Sequence, residues 1–350
     1  MDNSSQRKIL RVSPACEIPQ LAGEITAALV GDGPTLGFGE ISSEFAPHYA
    51  AVVVGTSGST GTPKEVALTA TALLTSARAS NKFLNARPGQ TWSLLLPLTH
   101  IAAVNVLVRS IELGTLPIDL RNHQGTFPKA DYTSIVPTQL FKALNGDQQL
   151  LDHLKSAKAV LVGGAALSQS MRNQAELAGI KVVTTYGMTE TCGGCVYDGK
   201  ALDGVEIQIR NGKIYVRGAI LASSISLDAG WYETSDLGEI INNELMILGR
   251  ADDVIVTGGE NLSLNAVEQS LSAAFPEIQC AAFAIDDPQW GQSLQIAVVG
   301  TITNEAITTH LESELGVFAK PKGIHHRASL PLLGIGKVDR KALAKGLADE

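Results

Sequence analysis

Residues 56–66 read Thr-Ser-Gly-Ser-Thr-Gly-Thr-Pro-Lys-Glu-Val and follow the apolar run Ala50-Ala51-Val52-Val53-Val54-Gly55. A short β-branched run ending in a Gly/Ser/Thr-rich turn predicts a buried strand feeding an anion-binding loop. Gly58 and Gly61 permit close backbone approach, so that N–H groups can point at phosphate oxygens. Ser57, Ser59, Thr60 and Thr62 add hydroxyl donors, and Lys64 adds a point charge. Taken alone, the cluster reads first as an ordinary surface loop. It is not a Walker A loop, because Pro63 precedes the lysine and no Ser or Thr follows it.

Four further segments carry chemistry-bearing residues in a fixed order: Tyr186-Gly187-Met188-Thr189-Glu190-Thr191, Tyr232-Glu233-Thr234-Ser235-Asp236, Gly249-Arg250-Ala251-Asp252-Asp253-Val254-Ile255 and Gly336-Lys337-Val338-Asp339-Arg340. With the Gly-rich loop, these resemble the signature of the adenylate-forming superfamily, which includes acyl-CoA synthetases, peptide-synthetase adenylation domains and luciferases. The resemblance implies attack of a carboxylate on the α-phosphorus of ATP, giving an acyl-adenylate and pyrophosphate. Negative charge then meets negative charge, and the site must neutralise and align.

The same resemblance implies the roles. Thr56, Ser57, Gly58, Ser59, Thr60, Gly61 and Lys64 would hold the β- and γ-phosphates, and Glu190 would ligate Mg²⁺. Thr189 would contact the α-phosphate. Tyr186, followed by Gly187, would stack on adenine, with Gly163, Gly164 and Ala165 lining the purine slot. Asp236 would accept hydrogen bonds from the ribose hydroxyls, and Arg250 would bind the ribose and phosphate side. Lys337 would reach the α-phosphate from a C-terminal domain; its plain alternative is a solvated tail lysine beside Lys341 and Lys345. Asp252 takes the hinge position. Rotation about it would exchange Lys337 for a surface near Gly258-Gly259-Glu260, where the thiol of coenzyme A attacks. Those two glycines read equally as a simple turn before a helix. No carrier-protein segment is evident, which favours a free-standing CoA ligase.

Val52–Val54, Trp92–Leu96, Ala159–Val162 and Val182–Thr185 predict strands. Helices are expected over Ala70–Leu84, Ala102–Leu113 and Gln169–Ala178. Such alternation indicates an α/β fold with a mainly parallel sheet. After about residue 200 the pattern turns antiparallel. Asn211-Gly212 joins Val205–Arg210 to Lys213–Arg217, and Asn242-Asn243-Glu244 joins Leu237–Ile241 to Leu245–Leu248. Beyond Asp252 come a helix near Leu264–Phe275, strands at Ala281–Ile285 and Leu294–Val299, and a helix near Glu305–Leu315. The expected organisation is a large N-terminal domain, 1–251, with a small β-rich subdomain, and a small mobile α+β domain, 252–350. Only 55 residues precede the loop, fewer than in larger superfamily members. An abbreviated lobe, a smaller acyl site or a completing homodimer is therefore expected.

The 350 residues are 45% hydrophobic, enough for a large core, and a net charge of −8 argues against a nucleic-acid binder. The N-terminus lacks a signal-peptide core and no run of 18 apolar residues occurs, so a cytoplasmic location is expected. Cys192 and Cys195 form a C-x-x-C without a second ligand pair, so free thiols near a pocket explain them better than metal or redox chemistry.

Substrate choice rests on two residues. Leu96-Pro97-Leu98-Thr99-His100-Ile101-Ala102-Ala103 resembles the family's P-L-x-H-x-x-G, so His100 would gate the acyl pocket or else cap a helix. Arg109 lies in an otherwise apolar helix and needs a partner: a second substrate carboxylate or an internal salt bridge. The short chain, Val106-Leu107-Val108-Arg109-Ser110, the stretch 187–199 around Cys192-Gly193-Gly194-Cys195, and Val256-Thr257-Gly258-Gly259-Glu260-Asn261 together resemble the o-succinylbenzoate–CoA ligase branch of the superfamily. The alternatives are a CoA ligase for another aromatic or short-chain acid and a non-catalytic adenylate-binding protein.

Overall fold

The computed structural model describes residues 6–56, 64–333 and 337–348. Two sheets carry the first two hundred residues. In the first, parallel strands Gln6–Arg11, Thr35–Phe38 and Ala50–Thr56 are flanked by antiparallel edges Phe45–Pro47 and Lys64–Thr69. The Ala50–Thr56 strand is buried over its first five residues, as expected for an unbroken apolar run in a covered sheet. Its pairing with Lys64–Thr69 places Thr56 opposite Lys64. Residues 57–63 of the Gly-rich loop lie outside the described residues.

The second sheet has seven strands. Ile118–Asp119, Trp92–Leu94, Tyr132–Ile135, Ala159–Val162 and Val182–Met188 run parallel, and Gly193–Tyr197 and Lys200–Ala201 add antiparallel strands at one edge. Helices Ala70–Phe83 and Ile101–Glu112 pack on one another, and one large core joins them to both sheets. A second core under Pro137–Leu144, Gln148–Ser156 and Gln169–Leu177 covers the other face.

Both hairpins fall where expected. The four-stranded antiparallel sheet comprises Val205–Arg210, Lys213–Gly218, Tyr232–Ile241 and Glu244–Arg250. Asn211 and Gly212 have φ of 50° and 77°, and Asn242 and Asn243 have 51° and 65°. Both are two-residue turns whose left-handed residues match the twist of the strands, so Glu244 belongs to the strand and not to the turn.

From Val254 onward a separate core forms. The strands Val254–Thr257, Glu260–Ser263, Gln279–Asp287, Gly291–Val299 and Gly323–His326 make one sheet, with helices Leu264–Ala274 and Asn304–Leu315 packed in its core. Val338 and Leu343 pack on the other face, against Ala281, Phe283 and Ala297. No helix among the described residues is long and apolar enough to cross a membrane.

Candidate active site

Strand ends bring the named residues together. Val182–Met188 carries Tyr186 and Gly187 past its parallel pairing with Ala159–Val162 and along Gly193–Tyr197, and a single 3₁₀ turn, Thr189–Thr191, follows at once. The Met188 N–H donates to Thr191 Oγ1 at 2.9 Å, and the Cys192 N–H donates to the Thr189 carbonyl at 3.0 Å, so the turn is held from both sides. Glu190 then projects to Lys64, whose Nζ lies 3.2 Å from Glu190 Oε1. The first residue after the Gly-rich loop and the carboxylate of the Tyr-Gly-x-Thr-Glu segment therefore meet across 126 positions of sequence.

Tyr186 points the other way. Its hydroxyl donates to Asp236 Oδ2 at 2.8 Å. Burial, and behind it the Asp236 charge, pushes the phenol far above its usual range, so it stays protonated as the donor. A carboxylate accepts several hydrogen bonds, so this contact orients Asp236 without saturating it. Arg250 Nη1 lies 3.8 Å from Asp236 Oδ1, but the fork of Arg250 is engaged by Asp252, with Nε–Oδ1 at 2.7 Å and Nη2–Oδ2 at 2.9 Å. The Asp252 hydrogen bond holds the Arg250 pKa well above its ordinary value. The candidate hinge residue is thus tied to the candidate ribose pocket by one guanidinium.

Close backbone approach explains two glycines here. A Cβ on Gly187 would sit 2.0 Å from the Gly193 carbonyl oxygen, where the two antiparallel strands shift register. A Cβ on Gly163 would meet Thr185 Oγ1 at 2.2 Å. Gly163, Gly164 and Ala165 follow strand Ala159–Val162, next to the strand that bears Tyr186. Gly258 and Gly259, with φ of 61° and 88°, form the turn between strands Val254–Thr257 and Glu260–Ser263. The turn opens a hairpin, and the helix at Leu264 begins only after its second strand.

His100 is the N-cap residue of Ile101–Glu112, yet its side chain makes no capping hydrogen bond. The capping alternative for its imidazole is therefore not what the structure shows. For Arg109, no salt bridge to another described residue is present. Arg109 is only 3% exposed. Its guanidinium lies 5.0 Å over the Trp92 ring, donates to Tyr197 Oη at 2.9 Å, and has Ser134 Oγ at 3.5 Å. No carboxylate of the described residues pairs with it, and burial pushes its pKa down. Its Nε is buried without a hydrogen-bond partner, as are Trp92 Nε1 and Asn105 Oδ1. Asn105 and Arg109 are four residues apart and so share one helix face. Asn105 also donates to the Cys192 carbonyl at 2.7 Å, tying that face to the turn after Glu190.

Cys192 and Cys195 are free and buried; burial pushes the Cys192 thiol up, and that of Cys195 up to about 12. Such thiols are inert rather than redox-active. Lys337 lies in a two-residue strand paired with Leu332–Leu333, on the polypeptide that packs against the C-terminal sheet. Gly336 lies outside the described residues.

Sequence reasoning missed Glu65. It follows Lys64 on the strand and faces the opposite side, where its Oε1 accepts from Ser42 N at 2.6 Å, Ser42 Oγ at 2.7 Å and Ser43 N at 3.0 Å. Strand alternation after Lys64 was the available signal. Tyr197, the partner of Arg109, was also missed; no local pattern marks it.

The family model for AMP-binding enzymes matches residues 11–221, well over half the chain. The chain belongs to the AMP-binding enzyme family. Among AMP-binding relatives, a probable 2-succinylbenzoate–CoA ligase of Mycobacterium tuberculosis is 41% identical over 329 residues, covering 86% of this chain and 85% of that one. A 2-succinylbenzoate–CoA ligase of Lactococcus lactis is 28% identical over 333 residues, covering 87% and 72%. Of solved AMP-binding structures, wild-type Escherichia coli MenE with a bound phenylether-linked analogue of OSB-AMS superposes with a TM-score of 0.69 at 26% identity, over 98% of this chain and 83% of that one.

Proposed function

We propose that this AMP-binding enzyme is an ATP-dependent CoA ligase that converts o-succinylbenzoate to o-succinylbenzoyl-CoA, a step of menaquinone biosynthesis, in the cytoplasm. The observation that carries the substrate is Arg109: a buried guanidinium with no carboxylate partner among the described residues. An unpaired buried cation is expensive, and a dicarboxylate substrate supplies the missing charge. One carboxylate is anchored at Arg109 and the other is activated.

In the first half-reaction a substrate carboxylate oxygen bonds to the α-phosphorus of ATP as the bond to pyrophosphate breaks. Lys64 neutralises the departing phosphates, and Thr189 donates to the α-phosphate. The triphosphate role is assigned to Thr56 to Gly61, of which Ser57 to Gly61 lie outside the described residues. Asp236, oriented by Tyr186, takes the ribose hydroxyls, and Gly163 to Ala165 line the purine slot. Glu190 would hold Mg²⁺, which offsets phosphate charge; no cluster of three or more metal-ligating side chains occurs among the described residues. One carboxylate plus phosphate oxygens is the usual arrangement for that ion. Lys337 completes adenylation from a domain spanning 252–350, with 1–251 as the body. In the second half-reaction the CoA sulfur bonds to the acyl carbon and AMP leaves, with the Gly258-Gly259 turn beside the thiol arm and His100 at the pocket entrance. A homodimer that completes the site remains part of this reading.

The test is mass-spectrometric detection of acyl-CoA and AMP from protein, Mg²⁺-ATP, CoA and o-succinylbenzoate, with benzoate and hexanoate alongside. Product from o-succinylbenzoate alone is expected. Product only from another acid overturns the substrate, and adenylate without thioester overturns CoA as acceptor.

A further inference from the structure

Arg340 ends the Gly-Lys-x-x-Arg segment, three residues after Lys337, and opens the helix Arg340–Ala348. Each guanidinium nitrogen has a partner. Nη1 donates to Asp253 Oδ2 at 2.8 Å, Nη2 to Glu268 Oε1 at 2.9 Å, and Nε to the Ala282 carbonyl at 2.8 Å. Glu268 Oε1 also accepts the Ala282 N–H at 2.9 Å, closing the network. The partners lie on three elements: the 3₁₀ turn Ala251–Asp253, helix Leu264–Ala274 and strand Gln279–Asp287.

Asp253 immediately follows the hinge position Asp252. One side chain therefore joins the residue beside the hinge to the segment that carries Lys337. That segment needs an anchor. The pairing of Leu332–Leu333 with Lys337–Val338 is two residues per strand, too short to hold a geometry by itself. Val338 and Leu343 bury apolar surface beneath it, but apolar burial is non-directional. The planar guanidinium fork supplies direction, because its donors meet carboxylates at fixed angles.

We propose that Arg340 is a positioning residue for adenylation: through Asp253 it locks the Lys337 strand to the first residue past the hinge, so that rotation about Asp252 delivers Lys337 in a fixed orientation. The proposal rests on Lys337 being the adenylation lysine. Thioester formation, for which Lys337 has swung away, does not need the lock.

The two half-reactions separate these claims. Adenylation is followed by acid-dependent ATP–pyrophosphate exchange, and thioester formation by reaction of prepared acyl-adenylate with CoA, for Lys337→Ala, Arg340→Ala, Arg340→Lys, Asp253→Asn and the Arg340→Ala/Asp253→Asn pair. Arg340→Ala and Asp253→Asn are expected to lower adenylation kcat roughly 10- to 50-fold, the order seen when a preorganised group is misplaced, with KM for ATP and acid within about threefold. The thioester half-reaction stays within about twofold, and the double variant is no worse than Arg340→Ala, as a shared contact requires. Arg340→Lys keeps the charge, loses the fork and recovers only part of the rate. Lys337→Ala retaining exchange overturns the lysine's role and this proposal with it. Lys337→Ala losing exchange while Arg340→Ala and Asp253→Asn keep it overturns the positioning role alone, as does an equal fall in both half-reactions. Should Arg340→Ala not fold, Arg340→Lys and Asp253→Asn decide by the same criteria.

Discussion

Arg109 and Glu65 show how one charged residue is read differently by its surroundings. Arg109 sits in the core facing Trp92 and Tyr197, with no counter-ion among the described residues. Replacing a buried unpaired cation by an apolar side chain of similar length is neutral or stabilising, whereas the substrate loses its anchor. Arg109→Met is therefore expected to leave Tm unchanged or raised while KM for o-succinylbenzoate rises about 50-fold or more, the weight of a buried charge-assisted contact, and benzoate turnover changes little. Equal losses for both acids would show that Arg109 serves only the fold. Glu65 is the opposite case. Although burial opposes it, hydrogen bonds from Ser43 and Ser42 hold its carboxyl at about 2, below the ordinary 4.5. A depressed folded-state pKa contributes stability that is fully present above about pH 4.5 and is lost as pH falls towards 2. Glu65→Gln should cost about 1–3 kcal/mol in urea unfolding at pH 7, with the gap to the parent protein narrowing steadily below pH 4.5. A constant gap across that window would mean that the charge is not what holds Ser42 and Ser43.

At the scale of elements, the site is built where Val182–Met188 leaves the parallel sheet and Gly193–Tyr197 returns beside it. The two backbones approach so closely at Gly187 that a methyl group would strike the Gly193 carbonyl oxygen, which cannot rotate away. Gly187→Ala should therefore lower unfolding stability by about 1–3 kcal/mol, the range for overpacking, and weaken ATP binding because Tyr186 is displaced with it. At Gly163 the first obstacle is the Thr185 hydroxyl, a side chain that can turn. Gly163→Ala should be the milder variant by denaturation. A reversed order would place the tighter approach at Gly163.

For the whole molecule, the residues from Val254 onward have cores of their own, and contact with the preceding sheet includes a hydrogen bond from Asn265 Nδ2 to the Leu248 carbonyl at 3.2 Å. A fragment of residues 252–350 is expected to fold alone, with a cooperative thermal transition by circular dichroism. Residues 1–251 should still bind ATP but give no pyrophosphate exchange, since Lys337 is missing. A fragment 252–350 that stays unfolded would remove the proposed boundary.

What the sequence determined by itself was local and periodic. The β-branched run before Gly55, the Asn-Gly turn, and the alternation of strands with helices follow from backbone preference and hydrophobic spacing, which act between neighbours. The five ordered segments were likewise legible, because resemblance needs only residue order. The Gln6–Arg11, Thr35–Phe38 and Tyr132–Ile135 strands were not, being short runs of mixed residues without clear period. Tertiary structure alone decided the pairings: Lys64 with Glu190, Tyr186 with Asp236, Arg109 with Tyr197 in place of an acid, Arg340 with Asp253 and Glu268. The partners in these pairs lie from 50 to 126 positions apart. Burial and partnership at that separation are set by how sheets and helices pack, a property of the assembled chain that no local window contains.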